Sequence, residues 1–139
     1  MRKQDIYKRI QKYCISHFRK LNQSDFVIGN APLNRKCHLN AVQAVKEGKA
    51  AKVFSCYTFD RSNNSQCIHF INQLETGKFQ DNTWGWLYEW CDYYIIREIA
   101  PDEYSHIWDA LENTRESIVK INSSRFERFI LRIKSDECL

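Results

Sequence analysis

Between residues 37 and 84 the hydrophobic pattern changes from a helical period to short β-forming runs, and this change constrains the fold more than any other feature. Apolar residues recur at helical spacing from Cys37 onward, and Gly48 provides the left-handed residue that ends many helices. Three runs rich in β-branched and aromatic residues follow, joined by turns too short for crossover helices. The pattern therefore predicts an α+β fold in which a helix packs on an antiparallel sheet. The predicted strands are 51–60, 67–72 and 78–84.

The segments on either side of this region are predicted to be mostly helical. Residues 3–21 carry apolar side chains at helical spacing and should form an amphipathic helix, whereas residues 22–36 contain Gly and Pro breakers and should form a loop. The segment 87–100 is ambiguous: residues 93–96 could form a fourth strand, whereas the residues before them could be helical. Pro101, followed by two acidic residues, is predicted to begin a helix, and a serine at 123–124 is predicted to cap a last one.

Length and composition allow one globular domain and argue against several classes of function. The chain has 139 residues, of which 43% are hydrophobic and 14% aromatic, which is enough for one core and too apolar for disorder. The net charge of +4 comes from cations scattered among acids, so nucleic-acid binding is not predicted. No apolar run suits a membrane span or a secretory signal, so we expect a cytoplasmic protein with reduced thiols and no membrane partner.

Cys37 is the first candidate for chemistry, because it opens a predicted helix directly after a polar loop. The helix N-terminus and the neighbouring cations Arg35 and Lys36 should favour the thiolate, which is the nucleophilic form of cysteine. The usual alternative for a free cysteine is a buried apolar role. We expect that role for three of the other thiols: Cys14, Cys56 and Cys91.

His69 and Asp81 are candidates for the groups that assist such a nucleophile. His69 interrupts an otherwise apolar strand, and a rigid strand suits a base that must meet a thiolate with fixed geometry. Asp81 should return on the next strand near the level of His69, where a carboxylate accepts the imidazole N–H and fixes its tautomer. Asn82 is the rival orienting residue, but strand alternation places it on the opposite face. Taken singly, a core histidine and a surface aspartate would be the ordinary interpretations.

The order of these residues resembles the papain-like superfamily, with cysteine at a helix start, histidine on a strand and aspartate on the next. Three motifs carry the resemblance: Cys-His-x-Asn at 37–40, a β-hairpin bearing His69, and Asp-x-Thr at 81–83. They resemble small bacterial and phage papain-like proteins and the minimal core of NlpC/P60 and transglutaminase-like enzymes. The resemblance implies one papain-like domain over 1–139. Its parts would be an N-terminal helical extension (1–30), a catalytic core (31–86), and a strand plus C-terminal helices (87–139).

The resemblance also implies a function, namely cysteine hydrolase or acyltransferase chemistry on an amide bond through Cys37, His69 and Asp81. No cofactor or metal ion is expected, and the substrate would be a protein or peptide; the size is compatible with a phage or effector protein that modifies a host protein. The glutamine that usually supplies an oxyanion donor is missing, since Ala31 lies six residues before Cys37. The Cys37 backbone N–H would then serve, helped by Asn34 or Asn30. His38, one helical position round, is expected to point elsewhere and to be structural.

Two hypotheses of other classes remain open from the sequence. The first is a zinc-binding module, although its candidate ligands lack paired Cys-x-x-Cys spacing. Those ligands are Cys37, His38, Cys56, Cys67 and His69. The second is a non-catalytic interaction protein on a papain-like scaffold, with a partner-binding surface built from a dense aromatic cluster. That cluster consists of Trp84, Trp86, Tyr88, Trp90, Tyr93 and Tyr94. If residues 84–90 form a strand, its alternation would direct the side chains at 84, 86, 88 and 90 to one face, towards the core.

Overall fold

The centre of the fold is a six-stranded sheet, seen in a computed structural model that describes residues 2–139. Its strand order is β1-β6-β3-β4-β5-β2, and all neighbours are antiparallel except β2 and β5, which are parallel. The α+β class is therefore confirmed, but the sheet is mixed rather than purely antiparallel. The strands are β1 (Arg19–Lys20), β2 (Phe26–Val27), β3 (Lys52–Asp60), β4 (Ser65–Gln73), β5 (Phe79–Gln80) and β6 (Cys91–Ile99).

The sheet becomes mixed because the segment predicted as a loop contributes a strand. Phe26 pairs with Phe79, so β2 runs parallel to β5 at the sheet edge. The two rings also approach each other, with centroids 6.1 Å apart, and both side chains are buried. Burial of this aromatic pair holds a two-residue strand whose hydrogen bonds alone would not stabilise it.

In the part of the chain that the structure describes, five α-helices surround the sheet, and their bounds correct two of the predictions. The first helix ends at His17 rather than residue 21, because Arg19 and Lys20 leave the helix and pair with β6. Pro101 begins a short 3₁₀ segment, and the α-helix starts only at Ile107. The helices are α1 (Lys3–His17), α2 (Cys37–Lys46), α3 (Ile107–Ile121), α4 (Arg125–Ile130) and α5 (Ser135–Cys138).

The predicted helix signals at Gly48 and Ser124 are confirmed. Gly48 has a φ of 74°, the left-handed conformation that stops α2. The Ser124 hydroxyl accepts the Glu127 N–H at 3.0 Å, while the Glu127 carboxylate accepts the Ser124 N–H at 2.9 Å. This reciprocal pair is a capping box, and it begins α4 where the sequence places it.

Residues 81–90 do not extend the third predicted strand. That strand ends at Gln80, because the Asp81 carboxylate accepts the backbone N–H groups of Thr83 and Trp84 and so turns the chain. Gly85 follows with a φ of 54°, and a 3₁₀ segment runs from Gly85 to Trp90. The predicted alternation of tryptophans along a strand is therefore wrong. Within 87–100 the fourth strand is confirmed as β6, and the residues before it are helical in the 3₁₀ form as far as Trp90.

Apolar layers cover both faces of the sheet and fix the position of α2. On one face Tyr57, Ile68 and Phe70 pack against α1, α2 and α3, with Ala41 and Val42 carrying the contact from α2. The other face is covered by residues of β2, of β5 and of the 3₁₀ segment Gly85–Trp90. Because α2 is held against β4, its first residue lies beside that strand. Among the described residues, no helix combines the length and apolar character needed to cross a bilayer.

Candidate active site

Cys37 is the first residue of α2, as the sequence predicts, and a network of side-chain amides fixes the turn that carries it. The Asn34 Oδ1 atom accepts the Lys36 N–H at 3.1 Å and the Asn40 Nδ2 at 2.9 Å. Asn40 also donates from Nδ2 to the Thr83 Oγ1 at 2.8 Å. The first turn of α2 is therefore tied both to the preceding loop and to the chain just after Asp81.

His69 and Asp81 form a buried hydrogen-bonded pair. The His69 Nε2 lies 2.8 Å from the Asp81 Oδ2, and the two residues are 2% and 0% exposed. His69 is in β4, and Asp81 follows β5 directly, so the hairpin brings the two side chains together as expected. Asn82 points away and donates to the Asn72 Oδ1 at 2.8 Å, as alternation predicts. The carboxylate thus fixes the imidazole with Nδ1 as its remaining nitrogen.

Every lone-pair direction of the Asp81 carboxylate is used by a donor. Oδ1 accepts the N–H groups of Thr83 and Trp84, each at 2.9 Å, and Oδ2 accepts the Tyr93 hydroxyl at 2.6 Å in addition to His69. Charge-assisted hydrogen bonds of this kind hold a carboxylate ionised without solvent. Tyr93 is a member of the site that the sequence did not reveal.

Trp84 packs flat against the His69 ring. The ring centroids are 3.8 Å apart and the planes differ by 12°. The stack restricts rotation of the imidazole about its Cβ–Cγ bond, while the Asp81 hydrogen bond fixes its in-plane orientation. Two independent contacts therefore hold the histidine in one pose, which is the condition for proton transfer along a fixed direction.

The electrostatics of the site favour a thiolate at Cys37. Burial alone raises the pKa of its thiol, but the positive charge of His69 lowers it, as do hydrogen bonds from the His38 and His69 side chains and the Phe70 N–H; the net pKa is about 6. Burial likewise lowers the pKa of His69, but Asp81 and Cys37 raise it well above its ordinary value. Because the Asp81 bond occupies Nε2, the nitrogen that faces the sulfur is Nδ1. Thiolate, imidazolium and carboxylate then form one alternating series of charges.

The other five cysteines have the opposite tendency, and all six are free thiols. Burial raises the pKa of Cys14 and of Cys91 to about 12, and that of Cys138 to about 11. It also raises the pKa of Cys56 and of Cys67. The predicted core role of Cys14, Cys56 and Cys91 is confirmed, since all three are buried.

His38 does not point away from Cys37, so that expectation is wrong. A hydrogen bond with the His38 side chain is among the causes that lower the pKa of the Cys37 thiol. The His38 ring also meets the Trp108 ring edge-on, with centroids 5.1 Å apart. Adjacent residues at a helix start can share a contact because the first residue has no preceding turn to cover it. His38 therefore belongs to the surroundings of the thiolate.

Of the two predicted oxyanion residues, Asn34 has its side-chain amide engaged, whereas Asn30 is bonded through its backbone N–H. The Asn34 amide donates to the Asn40 Oδ1 at 3.3 Å, and the Asn30 backbone N–H donates to the Asn82 Oδ1 at 3.2 Å. The Cys37 backbone N–H lies in the first turn of α2, where N–H groups have no intrahelical acceptor. It remains the predicted donor to the substrate oxyanion.

Within residues 2–139 no group of three or more His, Cys, Asp or Glu side chains is arranged to hold a metal ion. The five residues of the zinc hypothesis are instead divided between the thiolate site and the interior. Comparison of the chain with models of known protein families, with curated proteins and with solved structures gave no match. The chemistry of the site must therefore be argued from its own geometry.

Proposed function

We propose that the protein is a papain-like cysteine hydrolase or acyltransferase that acts on an amide bond of a protein or peptide through Cys37, His69 and Asp81. One observation carries the proposal: a thiol whose pKa is about 6 adjoins a histidine whose far nitrogen is bonded to a buried carboxylate at 2.8 Å. A structural cysteine needs neither partner. A nucleophile that must work near neutral pH needs both.

The first half of the reaction follows from the protonation states of this pair. The Cys37 thiolate attacks the carbonyl carbon, an S–C bond forms, and the carbonyl π electrons move to oxygen as an oxyanion. When the carbonyl re-forms, the C–N bond breaks and His69 Nδ1 gives its proton to the departing amine, which leaves a thioester on Cys37. Asp81 stays ionised throughout and stabilises the imidazolium before the proton leaves.

The second half releases the acyl group. Neutral His69 takes a proton from water while the water oxygen attacks the thioester carbon, the S–C bond breaks, and the thiolate and imidazolium are restored. An amine can replace water, which would give acyl transfer rather than hydrolysis. Protease, deamidase and transglutaminase-like activities share these steps. The proposal includes a substrate met in the cytoplasm, with host proteins among the candidates.

Acetylation by 4-nitrophenyl acetate tests the covalent step. We expect one acetyl group on Cys37, found by intact mass and peptide mapping, with release of one 4-nitrophenolate and subsequent turnover. Cys67→Ser is the matched control, because Cys67 lies two residues from His69 but has a raised pKa. Acetylation that maps elsewhere, or that proceeds at pH 5 at the same rate in His69→Ala, would refute the proposal.

A partner-binding protein on the same scaffold is the second candidate, since two tryptophans of the aromatic cluster are exposed. Trp86 is 56% exposed and Trp90 55% exposed, whereas Tyr93 is buried. Under this alternative, Cys37→Ala keeps cellular function and Trp86→Ala abolishes it. The enzyme proposal requires that Cys37→Ala abolish function.

A further inference from the structure

A groove lined by indole rings opens beside His69. Its volume is about 740 Å³, within the range of about 300–1,000 Å³ common for ligand sites. Trp84 and the 3₁₀ segment that follows it supply the apolar wall, and the β3–β4 hairpin, Arg35 and Cys91 supply the rest. We call it the tryptophan groove, and its apolar wall consists of Trp84, Trp86, Leu87 and Trp90.

Three residues that line the tryptophan groove connect it with Cys37 and His69, which do not line it themselves. Trp84 both stacks on His69 and lines the groove. Cys67 lines its floor and precedes His69 by two strand positions, so both side chains leave the same face of β4. Arg35, on the rim, precedes Cys37 by two residues. A group held in the groove is therefore joined by a short path to a carbonyl at the thiolate.

The composition of the groove favours an uncharged aromatic occupant. Two half-exposed indoles, Trp86 and Trp90, present large faces and edges to a ring that enters between them. The rim charges, Arg35 and Asp60, have opposite signs and give no net preference for an ion. Asp60 is moreover engaged locally, because its Oδ1 accepts the N–H and O–H of Ser62 at 2.8 and 2.6 Å.

We propose that the tryptophan groove binds an aromatic side chain of the peptide substrate, one or two residues before the carbonyl that Cys37 attacks. This inference rests on the proposed function and adds a substrate class to it. Binding of the ring would orient the backbone and bring the carbonyl to the sulfur. Substrates with aromatic residues near the scissile amide are then selected over substrates with small or cationic ones.

Peptidyl chloromethyl ketones test the proposal, because the Cys37 sulfur displaces chloride and the new S–C bond records each binding event. The probes are acetyl-Phe-Ala and acetyl-Ala-Phe compounds, compared with acetyl-Ala-Ala, acetyl-Lys-Ala and acetyl-Ala-Lys. We expect at least one phenylalanyl probe to alkylate Cys37 roughly tenfold faster than the dialanyl probe. A rate ratio of this size is what one buried aromatic ring in contact with another ring is expected to give. Trp86→Ala should remove most of this preference, and Trp86→Phe should retain part of it.

Phe129→Ala is the control variant, because Phe129 is an 80% exposed aromatic residue on α4 outside the groove. Iodoacetamide, which has no peptide part, measures Cys37 reactivity separately. Rapid iodoacetamide reaction without phenylalanyl preference, or with a lysyl preference, overturns the groove assignment and leaves the proposed function intact. Slow reaction of Cys37 with every reagent overturns both.

Discussion

The replacement His69→Ala should change the pH dependence of Cys37 alkylation more than its rate at neutral pH. With His69 present the Cys37 pKa is about 6, and without it the value should return to at least the ordinary 9.0, because burial by itself raises it. At pH 7 the thiolate fraction would then fall from about nine-tenths to about one-hundredth, roughly 90-fold. The magnitude of the rate change is smaller than this fraction suggests.

A thiolate of lower pKa is also a weaker nucleophile. The Brønsted slope of thiol exchange, applied to alkylation, makes the thiolate of pKa about 6 roughly 16- to 32-fold less nucleophilic than one whose pKa is about three units higher. The rate at pH 7 should therefore fall only about three- to sixfold in His69→Ala, whereas at pH 5 it should fall roughly 30- to 60-fold. Above about pH 8 the order reverses, and the variant should react faster.

Site-resolved iodoacetamide labelling from pH 5 to pH 10 measures both curves, with Cys67 in the same digest as an internal control. Circular dichroism at each pH establishes that the chain is folded. A wild-type Cys37 that titrates with a midpoint near 9, or a midpoint that is the same with and without His69, would refute the proposed role of His69. Parallel curves that never cross would also refute it, because they would mean that His69 changes access to the sulfur rather than its ionisation.

Three further predictions concern stability. Tyr93→Phe should lower the free energy of unfolding by about 1.5–3 kcal/mol in urea titration, because it removes a donor from the buried Asp81 carboxylate; a change below about 0.5 kcal/mol would mean that the hydroxyl is not engaged. The pKa of His69 is raised in the folded state, so protonated His69 should contribute its full stabilisation below about pH 6.5, the pKa of histidine in the unfolded chain. This stabilisation should be lost as the pH rises through the folded-state pKa. The free energy of unfolding of His69→Gln should lack this pH dependence, and equal slopes in the two proteins would contradict the prediction. Gly85→Ala should lower the melting temperature more than Gly48→Ala does. Both glycines have positive φ, but only at Gly85 would the added Cβ meet other atoms, the nearest at 2.7 Å. Equal decreases in melting temperature would rule out this clash.

The parts of the site that the sequence predicts are those fixed by local pattern. Cys37 follows a polar loop and opens an apolar helical period, so its position at a helix start could be inferred directly. His69 and Asp81 belong to one hairpin, so alternation and a short turn sufficed to bring them together. The same alternation correctly excluded Asn82 as the orienting residue.

The parts that could not be predicted depend on contacts between distant segments. Tyr93 reaches Asp81 only because β6 pairs with β3, and no pattern within residues 91–99 indicates which strand they adjoin. The two-residue strand β2 has no periodicity of its own, since its neighbours and the Phe26–Phe79 contact define it. His38 was misjudged because helical spacing describes the interior of a helix and not its first turn.

The position of Tyr93 has a consequence for when the chain acquires a reactive thiol. Tyr93 is on β6, which reaches β4 only across β3, so the buried carboxylate receives all its donors after three strands have assembled. Such non-local pairing forms late in folding, after the loop-closure entropy between distant strands has been overcome. A nascent chain released only as far as β5 lacks both Asp81 and Tyr93, so His69 is without the carboxylate that raises its pKa. We therefore expect Cys37 in such a chain to be closer to an ordinary thiol, largely protonated near neutral pH. Labelling of the Cys37 thiol in mild acid would then report mainly the molecules that have completed folding, so it could be used to follow folding during synthesis.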